Sequence, residues 1–327
     1  MLLQHEAIVA SFKALRVAVC GDYMLDVYAT GRATGFSPED PSTVVVRQDG
    51  QSFAVGGAGF AAVQAACLGA DVYAFGVVGA DDAGRQVHRG LRDAHVDTRG
   101  LLVDPSRPTT TKMRMQLDGR ATHRWDLEMR APLWSDAAIE MAERSRAFQW
   151  DGLLLSDYGK GVLRGDVGAL VAQELRAFSK VTVLDPKARL RGLGPVDAVT
   201  PNRREFMALG GSCVSMDAAE RFRAELGAGC QVFATRGEWG CSRFGPNGAW
   251  SSTPSRDVVA RSTVGAGDVF AAALMLSRAA GGTWDQAAVI ANAAASVTVE
   301  LPGTTPVTPE QVLRAIPEVL ARCPNVA

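Results

Sequence analysis

Short, wholly apolar runs alternate along the chain with stretches whose apolar residues recur every three to four positions. The runs at 16–20, 71–78, 152–156, 181–184, 198–200 and 232–235 predict strands buried on both faces, since a strand with one wet face would alternate. The helical period predicts helices at 60–68, 85–94, 135–148 and 167–178, one starting at Asn202, and one at 217–226. A strand at 241–244 leads to two strongly apolar helices, 267–277 and 284–299, and a closing helix at 309–320. Gly56-Gly57-Ala58-Gly59 opens the first of these helices and Gly69 caps it.

Residues 31–50 are rich in turn formers and hold a strand at 43–46 without the period of a crossover helix. The runs at 101–103, 110–116 and 122–127 read as strands returning to the same excursion, with turns at Pro105 and Asp118-Gly119, whereas 52–55 reads as a poor strand. The pattern predicts one α/β domain over 1–327. It would be a three-layer α/β/α sandwich on a mainly parallel sheet, with a small β lid from roughly 28–50 and 101–128.

Composition narrows the function classes. Lys plus Arg is 34 against 35 Asp plus Glu, which leaves no basic field for nucleic acid. Apolar residues make up 47%, yet no run has the length of a membrane span, and the first fifteen residues lack a signal-peptide core, so a cytoplasmic protein is expected. Cys20, Cys67, Cys213, Cys230, Cys241 and Cys323 have no metal-ligand spacing and read as reduced thiols. His5, His88, His95 and His123 are equally dispersed, which disfavours a His-based metal site or a Ser-His-Asp triad.

Candidate chemistry collects at predicted strand ends. Gly265-Ala266-Gly267-Asp268 opens an apolar helix, so uncovered N–H groups and the helix dipole would meet a phosphate there. Asp268 in the same turn is placed to take a proton from an attacking hydroxyl. Asn202 and Glu205, three apart at a helix start, could serve Mg²⁺ or form a capping box. Asp22 and Asp26 follow the first strand; Ser156-Asp157-Tyr158-Gly159-Lys160-Gly161 and Asp185-Pro186-Lys187 follow two others. Lys112, Arg114 and Arg124 alternate along predicted lid strands, as a basic face or as solubilising edge charge. Gly57-Ala58-Gly59-Phe60-Ala61-Ala62 fits G-x-G-x-x-A, which keeps a nicotinamide-dependent oxidoreductase open as an alternative. No G-x-x-x-x-G-K-[ST] stretch is present.

Together these residues resemble the ribokinase-like (PfkB) family of carbohydrate kinases. Gly265 to Asp268 is similar to its C-terminal signature and Asn202 to Glu205 to its N-x-x-E motif. Gly21-Asp22-Tyr23-Met24-Leu25-Asp26, Thr111-Lys112-Met113-Arg114, Ser156 to Gly161, Asp185-Pro186-Lys187 and Gly303-Thr304 are most similar to the D-glycero-β-D-manno-heptose 7-phosphate kinases. The resemblance implies transfer of the ATP γ-phosphate to the anomeric hydroxyl of a phosphosugar, with Asp268 as base and the N–H groups of Gly265, Ala266 and Gly267 stabilising the developing charge. It implies Mg²⁺ supported by Asn202 and Glu205. The sugar would be lined by Asp22, Asp26, Gly56, Gly57, Lys112, Arg124 and Asp185, and its phosphate met by Lys160 or Lys187. ATP would lie along Asn202, Thr235, Arg236, Gly237, Asn292 and Ala295.

It also implies a homodimer through the lid. Bifunctional relatives carry a nucleotidyltransferase domain after the kinase, and this chain is expected to hold the kinase part alone. Two positions depart from the pattern. Phe60 stands where relatives carry a sugar-binding Asn, which keeps another sugar or a non-catalytic sugar-phosphate-binding protein open. Ser262 stands where an Asp helps form a monovalent-cation site, which leaves a K⁺ requirement open.

Overall fold

The computed structural model describes residues 2–117, 120–187, 190, 192–210 and 214–323; the turn expected at Asp118-Gly119 and Cys213 lie outside the described residues. The chain begins with α1 (Leu2–Ala10), β1 (Arg16–Gly21), β2 (Tyr23–Phe36), β3 (Val44–Gly57), α2 (Ala58–Cys67), β4 (Asp71–Gly79), α3 (Asp82–Asp93) and β5 (Asp97–Asp104). It continues through β6 (Thr110–Leu117), β7 (Arg120–Leu127), α4 (Ser135–Ser145), β8 (Gly152–Ser156), α5 (Gly165–Ala177), β9 (Thr182–Asp185), β10 (Ala198–Val199) and α6 (Arg203–Gly210). Then come α7 (Met216–Leu226), β11 (Gln231–Thr235), β12 (Cys241–Phe244), β13 (Trp250–Thr253), α8 (Ala266–Ala279), α9 (Trp284–Thr298) and α10 (Pro309–Arg322).

The large sheet has the order β13-β12-β11-β10-β9-β8-β1-β4-β5, parallel except at β12 and β13. Its apolar runs serve two cores at once. Val17 and Val19 of β1 pack into one, with α2, α8, α9 and α10; Ala18 and Cys20 pack into the other, with α4, α5 and α7. The three-layer expectation is met. No helix among the described residues is long and apolar enough to cross a membrane.

The small sheet has the order β3-β2-β6-β7, two antiparallel hairpins joined by the parallel pair β2 and β6. Helix α1 and strands β2 and β13 are not expected from the sequence, and two other stretches differ from expectation. Residues 101–103 lie in β5, on the edge of the large sheet, because Leu101 and Leu102 are buried in opposite cores. Residues 52–55 are strand, within β3, but of the small sheet; the glycine turn before α2 therefore does not follow a strand of the parallel sheet, the context a dinucleotide fingerprint needs.

Candidate active site

In the parallel register, Gly21, Ser156 and Asp185 stand side by side at the carboxyl ends of β1, β8 and β9. Open α/β sheets bind ligands at this end. Asp22 follows at once, with both carboxylate oxygens occupied: Oδ2 accepts from the N–H of Tyr158 at 2.8 Å and of Lys160 at 2.9 Å, and Oδ1 from that of Val162 at 3.0 Å. These bonds turn the carboxylate to backbone donors, where the resemblance implied sugar hydroxyls. Asp22 instead clamps the loop after β8, a partner 136 residues away in sequence.

That loop delivers Tyr158, which the sequence reading quoted within a motif and gave no role. Its hydroxyl donates to Asp268 Oδ1 at 2.7 Å. Asp268 lies in the first turn of α8, only 6% exposed. Burial, then the charge of Asp185, push its carboxyl up to about 7, against the pull of Lys187, Tyr158 and Lys112. A base poised near neutrality suits proton abstraction from a hydroxyl.

The N-cap of α8 is Gly265 at φ +83°, a left-handed conformation that favours glycine, and no side chain caps the helix. A Cβ on Gly265 would stand 2.3 Å from Phe60 Cε1, whereas one on Gly267 would meet nothing within 4 Å. The turn is thus packed from behind and open in front. With Gly265, Ala266 and Gly267 it presents the anion-binding end of a helix to the cleft.

Lys187 bridges two carboxylates, 3.1 Å from Glu205 Oε1 and 3.6 Å from Asp185 Oδ2. Asp185 Oδ1 accepts from Thr200 Oγ1 at 3.0 Å. Asn202 and Glu205 form the capping box: the Asn202 N–H donates to Glu205 Oε2 at 2.9 Å and the Glu205 N–H to Asn202 Oδ1 at 3.0 Å. Among the described residues no group of three or more His, Cys, Asp or Glu is placed to hold a metal. A magnesium ion would therefore keep phosphate and water ligands, with the Asp185 and Glu205 carboxylates as acceptors for those waters. That chemistry fits Mg²⁺, which dehydrates reluctantly.

On the lid side, Asp26 Oδ1 accepts from Arg114 Nη1 at 2.6 Å, and a Cβ on Gly56 would stand 2.6 Å from Asp26 Oδ2. Gly57, at φ +59°, turns the chain into α2. Arg124 pairs with Asp126 and the Lys160 ammonium with Glu128. Lys112 has no ion-pair partner among the described residues; its ammonium lies 5.0 Å from the centre of the Tyr158 ring, with that of Lys187 4.9 Å away from the same centre. Burial and the neighbouring Arg124, Lys160 and Arg114 push its ammonium pKa down, against the attraction of Asp26.

The nucleotide-side positions are more scattered. Thr235 ends β11, its N–H donating to Pro201 O at 2.9 Å, and Arg236 Nη2 donates to Ser252 Oγ at 2.9 Å. Gly237, at φ +60°, has open space where a Cβ would stand. Asn292 does not fit an adenine wall, because its buried Nδ2 donates to Ala288 O at 3.0 Å and to Cys241 Sγ at 3.2 Å. Its amide ties α9 to the edge of the sheet, while Ala295 is half-buried. Ser262 Oγ accepts from the Val264 N–H at 3.3 Å, within its own loop.

A helix-end anion cradle beside a buried carboxylate, at the carboxyl edge of a parallel sheet, defines a phosphotransferase acting on a hydroxyl. Residues 14–311 match the model of the pfkB family carbohydrate kinases, and the chain belongs to that family.

Two curated relatives are the bifunctional protein HldE of Bradyrhizobium diazoefficiens, 36% identical over 96% of this chain, and that of Rhodopseudomonas palustris, 35% identical over 96%. The alignments cover 65% and 66% of those proteins, so the chain spans just under two thirds of their length. The fold is similar to that of Arabidopsis thaliana ribokinase complexed with ribose and ATP (TM-score 0.71, 19% identity, 92% of this chain and 98% of the other). It is also similar to phosphofructokinase-2 of Escherichia coli in complex with potassium (TM-score 0.73, 18% identity, 93% and 98%).

Proposed function

We propose that this kinase transfers the ATP γ-phosphate to the anomeric hydroxyl of a phosphorylated sugar, with D-glycero-β-D-manno-heptose 7-phosphate as the acceptor and the 1,7-bisphosphate as product. The observation that carries the phosphorylated acceptor is Lys112. Lys160 and Lys187 are committed to carboxylates, whereas Lys112 holds a half-buried ammonium with no ion-pair partner among the described residues, in the cleft near Arg114 and Arg124. An acceptor phosphate would satisfy it. The motifs similar to heptose 7-phosphate kinases, together with the HldE relatives, support the choice of heptose.

In this reading Asp268 takes the proton of the anomeric hydroxyl as its oxygen attacks phosphorus. The N–H groups of Gly265, Ala266 and Gly267 receive the charge gathering on the transferred phosphoryl, a contribution of about 3 kcal/mol per donor in comparable sites. Asp185, Asn202 and Glu205 would accept from the waters of a magnesium ion bound with ATP, which would supply neutralisation of phosphate charge. Asp26 and Gly56 line the sugar side; Thr235 to Gly237 flank the nucleotide.

The exposed Phe36, Trp125 and Leu127 of the small sheet support a homodimer through the lid. A cytoplasmic location accords with this substrate class.

The test is ADP release by purified protein with ATP, Mg²⁺ and a panel of sugars and sugar phosphates, followed by mass spectrometry of the product. Turnover is expected with heptose 7-phosphate and not with the unphosphorylated heptose. Turnover of unphosphorylated sugars alone would overturn the phosphorylated acceptor.

A further inference from the structure

Tyr158 is placed as if three separate forces had fixed it. Its backbone N–H is held by Asp22 Oδ2 at 2.8 Å, its ring centre has the Lys112 and Lys187 ammonium groups at 5.0 and 4.9 Å, and its hydroxyl donates to Asp268 Oδ1 at 2.7 Å. A ring that swings away from two nearby cations loses attraction to both. We propose that Tyr158 is a positioning residue for phosphoryl transfer, holding the Asp268 carboxylate by Oδ1 so that Oδ2 is presented to the acceptor hydroxyl. This rests on the reading of Asp268 as the base.

A carboxylate at the first turn of a helix can rotate about its χ2 bond, and only one orientation aims a lone pair at the acceptor. The Tyr158 hydroxyl selects that orientation. It also favours the ionised form, because a donor bonded to the charged state lowers the pKa. The other groups acting on Asp268 are Asp185 and Lys187 from the segment that ends β9, and Lys112 from β6.

Tyr158→Phe keeps the ring and removes the one donor, so the fold and the cation contacts are retained. Expected are a kcat lower by roughly 10–100-fold, a KM for ATP within about twofold of wild type, and an acid limb of the kcat/KM profile moved to higher pH. A merely structural tyrosine would leave the acid limb in place, and an unmoved limb with unchanged kcat would overturn the proposal.

A second readout needs no acceptor. The ¹³C carboxyl resonance of Asp268, assigned by its loss in Asp268→Asn, is titrated in wild type and in Tyr158→Phe. A midpoint that rises in the variant supports the coupling, and an identical midpoint sinks it whatever the enzyme turns over. If the midpoint rises while wild type phosphorylates no sugar phosphate, the choice of acceptor fails and the Tyr158 coupling stands.

Discussion

The ring of Phe60 lies directly behind Gly265, so close that a Cβ there would stand 2.3 Å from Cε1. The Phe60 side chain thus serves as the floor of the anion-binding turn. Gly265→Ala meets this ring and a φ of +83° together, and should cost about 2 kcal/mol or more in chemical denaturation. In a Phe60→Leu background the same substitution should cost less, because the steric part is relieved. Equal costs in both backgrounds would show that the ring does not support the turn.

Gly267 gives the opposite expectation. Its missing side chain faces open space, and it sits inside a helix where alanine is favoured by about 1 kcal/mol. Gly267→Ala should melt at the same temperature as wild type or higher, yet lose at least about tenfold in kcat/KM for ATP as the methyl enters the phosphate path. Full activity in a stabilised variant would move the phosphate elsewhere.

The raised carboxyl of Asp268 fixes the sign of two pH effects. Activity should climb through about pH 7 as the base ionises. Stability runs the other way: a carboxyl whose folded pKa lies above its unfolded 3.8 contributes stability below pH 4, which is lost as the pH rises through about 7. Asp268→Asn should therefore abolish turnover, spare ATP binding by calorimetry, and gain up to a few kcal/mol over wild type at pH 8 but little at pH 4. A variant equally stable relative to wild type at both values would contradict the raised pKa.

Lys112→Met removes the ammonium and keeps its bulk. The KM for a phosphorylated acceptor should rise by roughly tenfold or more, with the KM for ATP unchanged. Lys160→Met, which leaves the largely buried Glu128 with Arg130 alone, should act on stability as well. Steady-state kinetics beside thermal melts separate the two; an unchanged acceptor KM in Lys112→Met would exclude it as the phosphate ligand.

Much of this was legible in the sequence wherever one force dominated. Strands β1, β8, β9 and β11 are apolar because both faces are buried, and Asp268 is recognisable from the glycines before an apolar helix. The long hairpin of β2 and β3 was only half visible, since beyond Thr30 it is exposed on both sides and no burial pattern marks it. Leu101-Leu102 carried the mark of the parallel sheet, but proximity to 110–116 drew it toward the lid. Roles that depend on a distant partner left no local trace. Nothing near Asp22 announces a loop 136 residues on, and nothing near Tyr158 announces Asp268. Asn292 had the polar type of a ligand residue and a core partner only the packed structure reveals.

Asp22 changes meaning in this light. It directly follows β1 and grips three N–H groups of the loop that carries Tyr158, so the aim of Asp268 is inherited, through two intermediaries, from the alignment of neighbouring strands. The reacting centre is surveyed from the sheet, as an optical bench sets the line of its mirrors. A substitution at Asp22 would register in an assay as a catalytic defect although its carboxylate need never touch a substrate.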